Sequence, residues 1–139
     1  MIKRLLLILS LVFLVSFSLN AQNVKQPAVA LIPYPVTLVE GEGAFVFTEK
    51  TVVSLEDKEM EAIARDFIGL FTKAAGFTPK LKVNSKKGDV RLMKDDSLQE
   101  EEYALEVTSE KILMRAGSLK GAFYALQTLR QLLPSAIES

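Results

Sequence analysis

The sequence predicts an α+β domain, a mainly antiparallel sheet with two helices packed on one face. Three observations carry that expectation. Two segments, Asp57 to Ala75 and Ser118 to Leu133, repeat apolar residues at three- and four-residue steps, the period of one helix face. Between and before them lie short runs that alternate every two residues, the period of a half-buried strand. One pair of runs, YALEVT and KILMRA, is separated only by Ser109 and Glu110, the spacing of a tight hairpin.

The first stretch, MIKRLLLILSLVFLVSFSLNAQ, stands outside this pattern. It has Lys3 and Arg4, an apolar run from Leu5 to Phe17 and a small residue at Ala21. That is the layout of a secretory signal peptide, assigned to residues 1–21, although Leu19 departs from the A-x-A cleavage pattern. The alternative is an N-terminal membrane anchor, but the run falls short of the roughly 20 residues a spanning helix needs. With no cysteine in the chain, a lipoprotein anchor is excluded. The expectation is an exported domain over residues 22–139, periplasmic or extracellular, without a stable membrane anchor after processing.

The elements follow in order. In LIPYP, Pro33 and Pro35 bracket Tyr34, so the segment is extended and Tyr34 reads as a packing staple. VTLV and AFVFT flank EGEG, a glycine turn, and predict a hairpin; TVVSL is a further strand. Met60, Ile63, Ala64, Phe67, Phe71 and Ala74 form the stripe of the first helix, with acidic residues in its opening turns, as the helix dipole prefers, and Gly76 as a left-handed C-cap. KLKV and DVRLM are strands around the turn NSKKG, and KDDSLQEE is a polar loop. In the YALEVT–KILMRA hairpin, Tyr103, Leu105, Val107, Ile112 and Met114 share one face, and charged residues the other. Ser118 caps the closing helix and Pro134 stops it. Its apolar residues spread over roughly half the cylinder, where a surface helix needs a stripe of about 100°. One sheet face cannot cover that arc, so a second partner is expected.

Composition excludes much chemistry. Lysine plus arginine equals aspartate plus glutamate, 17 each, so there is no basic surplus of the kind nucleic-acid binders carry. Histidine and cysteine are absent, which removes Ser-His and Cys-His arrangements and thiolate metal sites. The acidic groups Glu56–Asp57, Asp95–Asp96 and Glu100 to Glu102 read as solvated charge rather than a glycosidase pair. NSKKGD lacks the phosphate-loop frame, and Arg130 reads as a salt-bridge or interface residue. No catalytic, cofactor-binding or metal-binding residue is assigned, and no cofactor is expected.

Three stretches together resemble one family. LIPYPVTLVEGEGAFVF is similar to the opening of the N-terminal domain of family 20 glycoside hydrolases, the β-N-acetylhexosaminidases. EEYALEVTSEKILMRA resembles their central hairpin and GSLKGAFYALQTLRQLLP their closing helix, the most specific of the three. The resemblance implies a non-catalytic accessory domain whose two helices lie between its own sheet and a following catalytic (β/α)8 barrel, which carries a histidine-bearing motif and is absent here. The barrel is then the partner. The side of the closing helix assigned to it holds Ala125, Leu129 and Leu132, with Leu119, Phe123 and Leu126 turned to the hairpin. The parent activity so implied is removal of terminal N-acetylhexosamine residues. Open alternatives are a stand-alone secreted interaction module and the helper domain of another glycosidase, such as an α-glucuronidase.

Overall fold

The computed structural model describes residues 29–138, so the expected leader lies outside the described residues. The architecture below is that of the compact unit spanning residues 31–139. Strands β1 (Val52–Leu55), β2 (Lys80–Val83), β3 (Val90–Lys94), β4 (Tyr103–Val107) and β5 (Ile112–Ala116) form one sheet in the order β2-β1-β3-β5-β4. Helix α1 (Glu61–Ala74) follows β1 through a 3-10 turn at Lys58–Met60, and helix α2 (Leu119–Gln131) follows β5.

The α+β class with two helices holds, but the sheet is mixed rather than mainly antiparallel. β1 pairs in parallel with β2 and β3, and β3 in parallel with β5; among the described residues only the β4–β5 hairpin is antiparallel. The connections decide this. Helix α1 carries the chain back along the sheet, so β2 runs in the direction of β1, as a crossover requires. Alternation in the sequence reports that one face is covered, not which way a strand runs.

The hairpin expected around EGEG does not form either: residues 36–48 contain no strand. The turn glycine is there, Gly43 with φ 91°. The aromatic residues beyond it turn inward instead. Phe47 stacks 4.5 Å from Phe71 of α1, and Phe45 meets Phe47 edge-on at 4.9 Å. Aromatic burial against α1 outcompetes a two-strand ladder that is marginal by itself.

Strand register sets Val53, Val90 and Ile112 in one row and Leu55, Leu92 and Met114 in the next, all buried. Both helices cover these rows, α1 through Ala64, Phe67 and Phe71 and α2 through Ala122, Ala125, Leu126 and Leu129. The opposite sheet face exposes Lys80, Lys82, Glu106 and Arg115. The start of α2 is fixed locally. The Ser118 hydroxyl accepts from the Lys120 N–H and donates to the Glu100 carbonyl. A Cβ on Gly121 would lie 2.5 Å from the Glu102 carbonyl oxygen, so only glycine lets the helix sit this close to the loop before β4. Tyr103 and Thr128 join hydroxyls at 2.6 Å, tying α2 to β4.

Candidate functional site

Each acidic group singled out in the sequence has a local structural partner. Glu56 pairs with Arg91 at 3.3 Å and Lys86 at 3.8 Å. Asp57 accepts from the Glu59 N–H as the cap of the 3-10 turn. Asp96 lies 3.2 Å from Lys94, Glu100 lies 2.9 Å from Lys120, and Glu102 accepts from the Gln99 N–H. The carboxylate of Asp95 is held below its usual range by the Ser97 hydroxyl and N–H first, and then by Arg115. The Lys120 ammonium is pushed up by its hydrogen bond to Glu100. These contacts bind loops and helix starts together and converge on no common point. Among the described residues no cluster of three or more His, Cys, Asp or Glu side chains could hold a metal ion.

The feature left over is apolar. The wide arc of α2 splits into two sides. Ala122, Ala125, Leu126 and Leu129 are buried, whereas Leu119, Phe123, Tyr124 and Leu132 stay well exposed, Phe123 at 43%. This corrects the expected assignment. Ala125 and Leu129, placed at the partner-facing side, are 0% and 2% exposed in the domain's own core and offer no surface; Leu132, at 38%, does. Leu119 and Phe123, expected to face the hairpin, do not. The small side chains of Ala122 and Ala125 let α2 approach β4 and β5 closely, so they and not Phe123 mark the centre of the buried stripe.

Phe123 instead lines a groove of about 360 Å³ between the helices. Helix α1 supplies Ile63, Asp66, Phe67 and Leu70; α2 supplies Phe123, Leu126, Gln127 and Arg130. The walls are polar and apolar in about equal measure, with Asp66, Gln127 and Arg130 beside the apolar side chains, and the groove is formed by the two helices that cover the sheet. One turn beyond Gln127, Gln131 makes two hydrogen bonds to the backbone of a single residue: the Ile32 N–H donates to Oε1 at 2.9 Å, and Nε2 donates to the Ile32 carbonyl at 3.0 Å. The opening segment is thereby tied to the end of α2. Tyr34 on that segment is 71% exposed, so it is not the packing staple the sequence suggested; Leu31, Phe45 and Phe47 anchor the segment instead.

Fold and site define a two-layer α+β domain whose helical layer carries a groove lined by both apolar and polar side chains. The chain matches the family model for glycosyl hydrolase family 20, domain 2, over residues 28–139, and it belongs to that family. It is 29% identical over 137 residues to the β-hexosaminidase of Porphyromonas gingivalis, covering 93% of this chain and 18% of the relative. The N-acetyl-β-hexosaminidase of Streptomyces plicatus in complex with Thio-NAglucal superposes with a TM-score of 0.64 at 26% identity, over 71% of this chain and 20% of that one. The chitobiase of Flavobacterium johnsoniae gives 0.60 at 26% identity, over 74% and 18%. The chain therefore spans about a fifth of the length of the relatives it matches.

Proposed function

We propose that this domain is the accessory part of an exported β-N-acetylhexosaminidase, and that its work is done by the outer face of its helices. The observation that carries this reading is the groove between α1 and α2, where Ile63, Leu70 and the exposed Phe123 stand beside Asp66, Gln127 and Arg130. In family 20 enzymes a catalytic (β/α)8 barrel is a separate domain, and the resemblance in sequence makes it the occupant of that face. The barrel would hydrolyse terminal N-acetylhexosamine residues with help from the substrate's acetamido group, the exception the family makes to two-carboxylate hydrolysis. The domain itself contributes a packing surface and no reacting group. Its leader, residues 1–21, would be removed on export.

The test transplants residues 31–139 into the Porphyromonas gingivalis relative in place of the matched segment. Phe123→Lys should lower the thermal midpoint of the chimera by more than it lowers that of the isolated domain, because only in the chimera is the groove filled. A chimera indifferent to Phe123→Lys overturns the docking reading. The isolated chain should leave aryl N-acetylglucosaminides unhydrolysed, and activity that co-purifies with it through contamination controls overturns the accessory role.

A further inference from the structure

A net charge of zero conceals a segregation. Residues 80–94 hold six cations against Asp89 alone, and residues 95–110 hold seven carboxylates and no cation. The basic block begins on edge strand β2, and the acidic block surrounds the opposite edge strand, β4. At the β2 margin the cations gather on the free face of the sheet. Leu81 and Val83 pack against the core, so Lys80 and Lys82 turn outward. Register sets Lys82, Ser54 and Arg91 in one row across β2, β1 and β3. The β2–β3 connection crosses that row: a Cβ on Gly88 would lie 2.7 Å from the Ser54 hydroxyl, and Ser54 is buried beneath it. Lys86 and Lys87 are thereby brought to the same corner. Lys86 shares the Glu56 carboxylate with Arg91, at 3.8 and 3.3 Å.

Two carboxylates belong to this corner, and both are engaged. Glu56 serves two cations, and Asp89 accepts from the Val52 N–H at 2.8 Å. Lys80, Lys82 and Lys87 are exposed and make no ion pair among the described residues. Lysines on an edge strand also guard it against pairing with another chain, but that purpose needs no cations on the crossing connection or on β3. The spacing suits a linear polyanion: Lys80 and Lys82 lie about 6.7 Å apart along β2, and β3 runs about 10 Å from β2. None of the exposed large apolar residues falls between Val46 and Val107 in the sequence. A membrane-binding surface inserts apolar side chains, and single-stranded nucleic acid stacks on aromatic ones. This corner offers neither. We propose that β2, the 84–89 connection and β3 together bind an anionic glycan, a chain bearing carboxylate or sulfate groups, through hydrated ion pairs with Lys80, Lys82 and Lys87. Choosing a glycan among polyanions rests on the exported-glycosidase reading above; the cationic corner itself does not.

The test titrates the purified chain with chondroitin sulfate at low salt, with a neutral N-acetylglucosamine oligomer as the uncharged comparison. The chain should bind the first and not the second, and about 1 M salt should abolish binding, because screening then acts within about 3 Å. The variant Lys80→Glu, Lys82→Glu, Lys87→Glu should weaken binding about tenfold or more. The variant Lys58→Glu, Lys73→Glu, Lys120→Glu makes the same change in net charge on the helical side and should stay within about twofold of the parent. Circular dichroism checks that both fold. If the first does not, Lys80→Gln, Lys82→Gln, Lys87→Gln takes its place, with a smaller but still selective loss expected. Equal losses in the two triple variants would reduce the effect to net charge and overturn the proposal. So would absence of chondroitin sulfate binding, or equal binding of the neutral oligomer. Tighter binding to phosphatidylglycerol vesicles than to the glycan, lost in the same variant, would make the corner a membrane contact and also overturn it. Selective loss in the first variant, together with a chimera indifferent to Phe123→Lys, would leave this proposal standing and overturn the docking reading alone.

Discussion

Truncating Leu129 and Leu132 to alanine removes the same atoms from positions three residues apart on one helix end, and the two variants should differ about twofold in cost. Leu129 is 2% exposed between α2 and the sheet, and Leu132 is 38% exposed. Deleting three buried carbons forfeits about 2.4 kcal/mol of transfer free energy at about 0.8 kcal/mol each. The cavity adds to this, so Leu129→Ala should cost about 3 kcal/mol, within the range for buried leucines. At Leu132 about two-thirds of the transfer term is at stake and water fills the vacated space, so a cost of about 1.6 kcal/mol follows. For a domain of this size each kcal/mol moves the midpoint by about 4–8 °C. Thermal unfolding by circular dichroism should show Leu129→Ala falling by about 12 °C or more and Leu132→Ala by about half as much. Equal falls would mean that α2 is buried all round within this domain, and the exposed side on which the docking argument depends would not exist.

Two further outcomes follow from local geometry. Gly69→Ala should stabilise the domain by about 0.5–1 kcal/mol, because a Cβ there meets nothing within 4 Å inside α1 and alanine loses less backbone freedom than glycine. The same change at Gly121 should destabilise, because the Cβ runs into the Glu102 carbonyl, and a chemical denaturation midpoint distinguishes the signs. The Asp95 carboxyl should titrate below its usual 3.8 in a carbon-detected NMR experiment, since hydrogen bonds from Ser97 favour the ionised form. Its stabilising contribution is then present above the unfolded pKa and lost as pH falls through the folded one, and Ser97→Ala should move the titration back up.

The sequence made the elements readable where short-range signals act alone. The two helical stripes, the Ser118 cap and the β4–β5 hairpin depend on residues within one or two turns of each other, and the structure has them all. Gly76 takes the positive φ its place after α1 demanded, 74°. What lay beyond reach depends on long-range choices. Lys80–Val83 alternates the same way in either direction, and only the passage of α1 across the sheet makes it parallel to β1. Phe45 and Phe47 alternate like strand residues, yet their rings prefer α1. A half-cylinder of apolar residues on α2 predicted more contact than one sheet face supplies, but not which flank meets the sheet. That was settled by where two alanines permit close approach, a feature of volume that a periodicity of hydrophobicity does not register.

The contrast between the domain's two outer surfaces argues for the direction in which a partner lies. The free face of the sheet carries Lys80, Lys82, Glu106 and Arg115, long charged side chains that stay hydrated and discourage dry packing. The free face of the helices carries Ile63, Leu70 and Phe123 around a groove that Asp66, Gln127 and Arg130 also line. A two-layer domain folding for its own sake would gain nothing by keeping that face apolar, since its core is already closed by Ala122, Ala125, Leu126 and Leu129. A contiguous exposed apolar patch carries an aggregation hazard unless another surface covers it. In the proposed arrangement the helical layer lies between the sheet and a partner domain, and Gln131 fixes the opening segment to the end of α2.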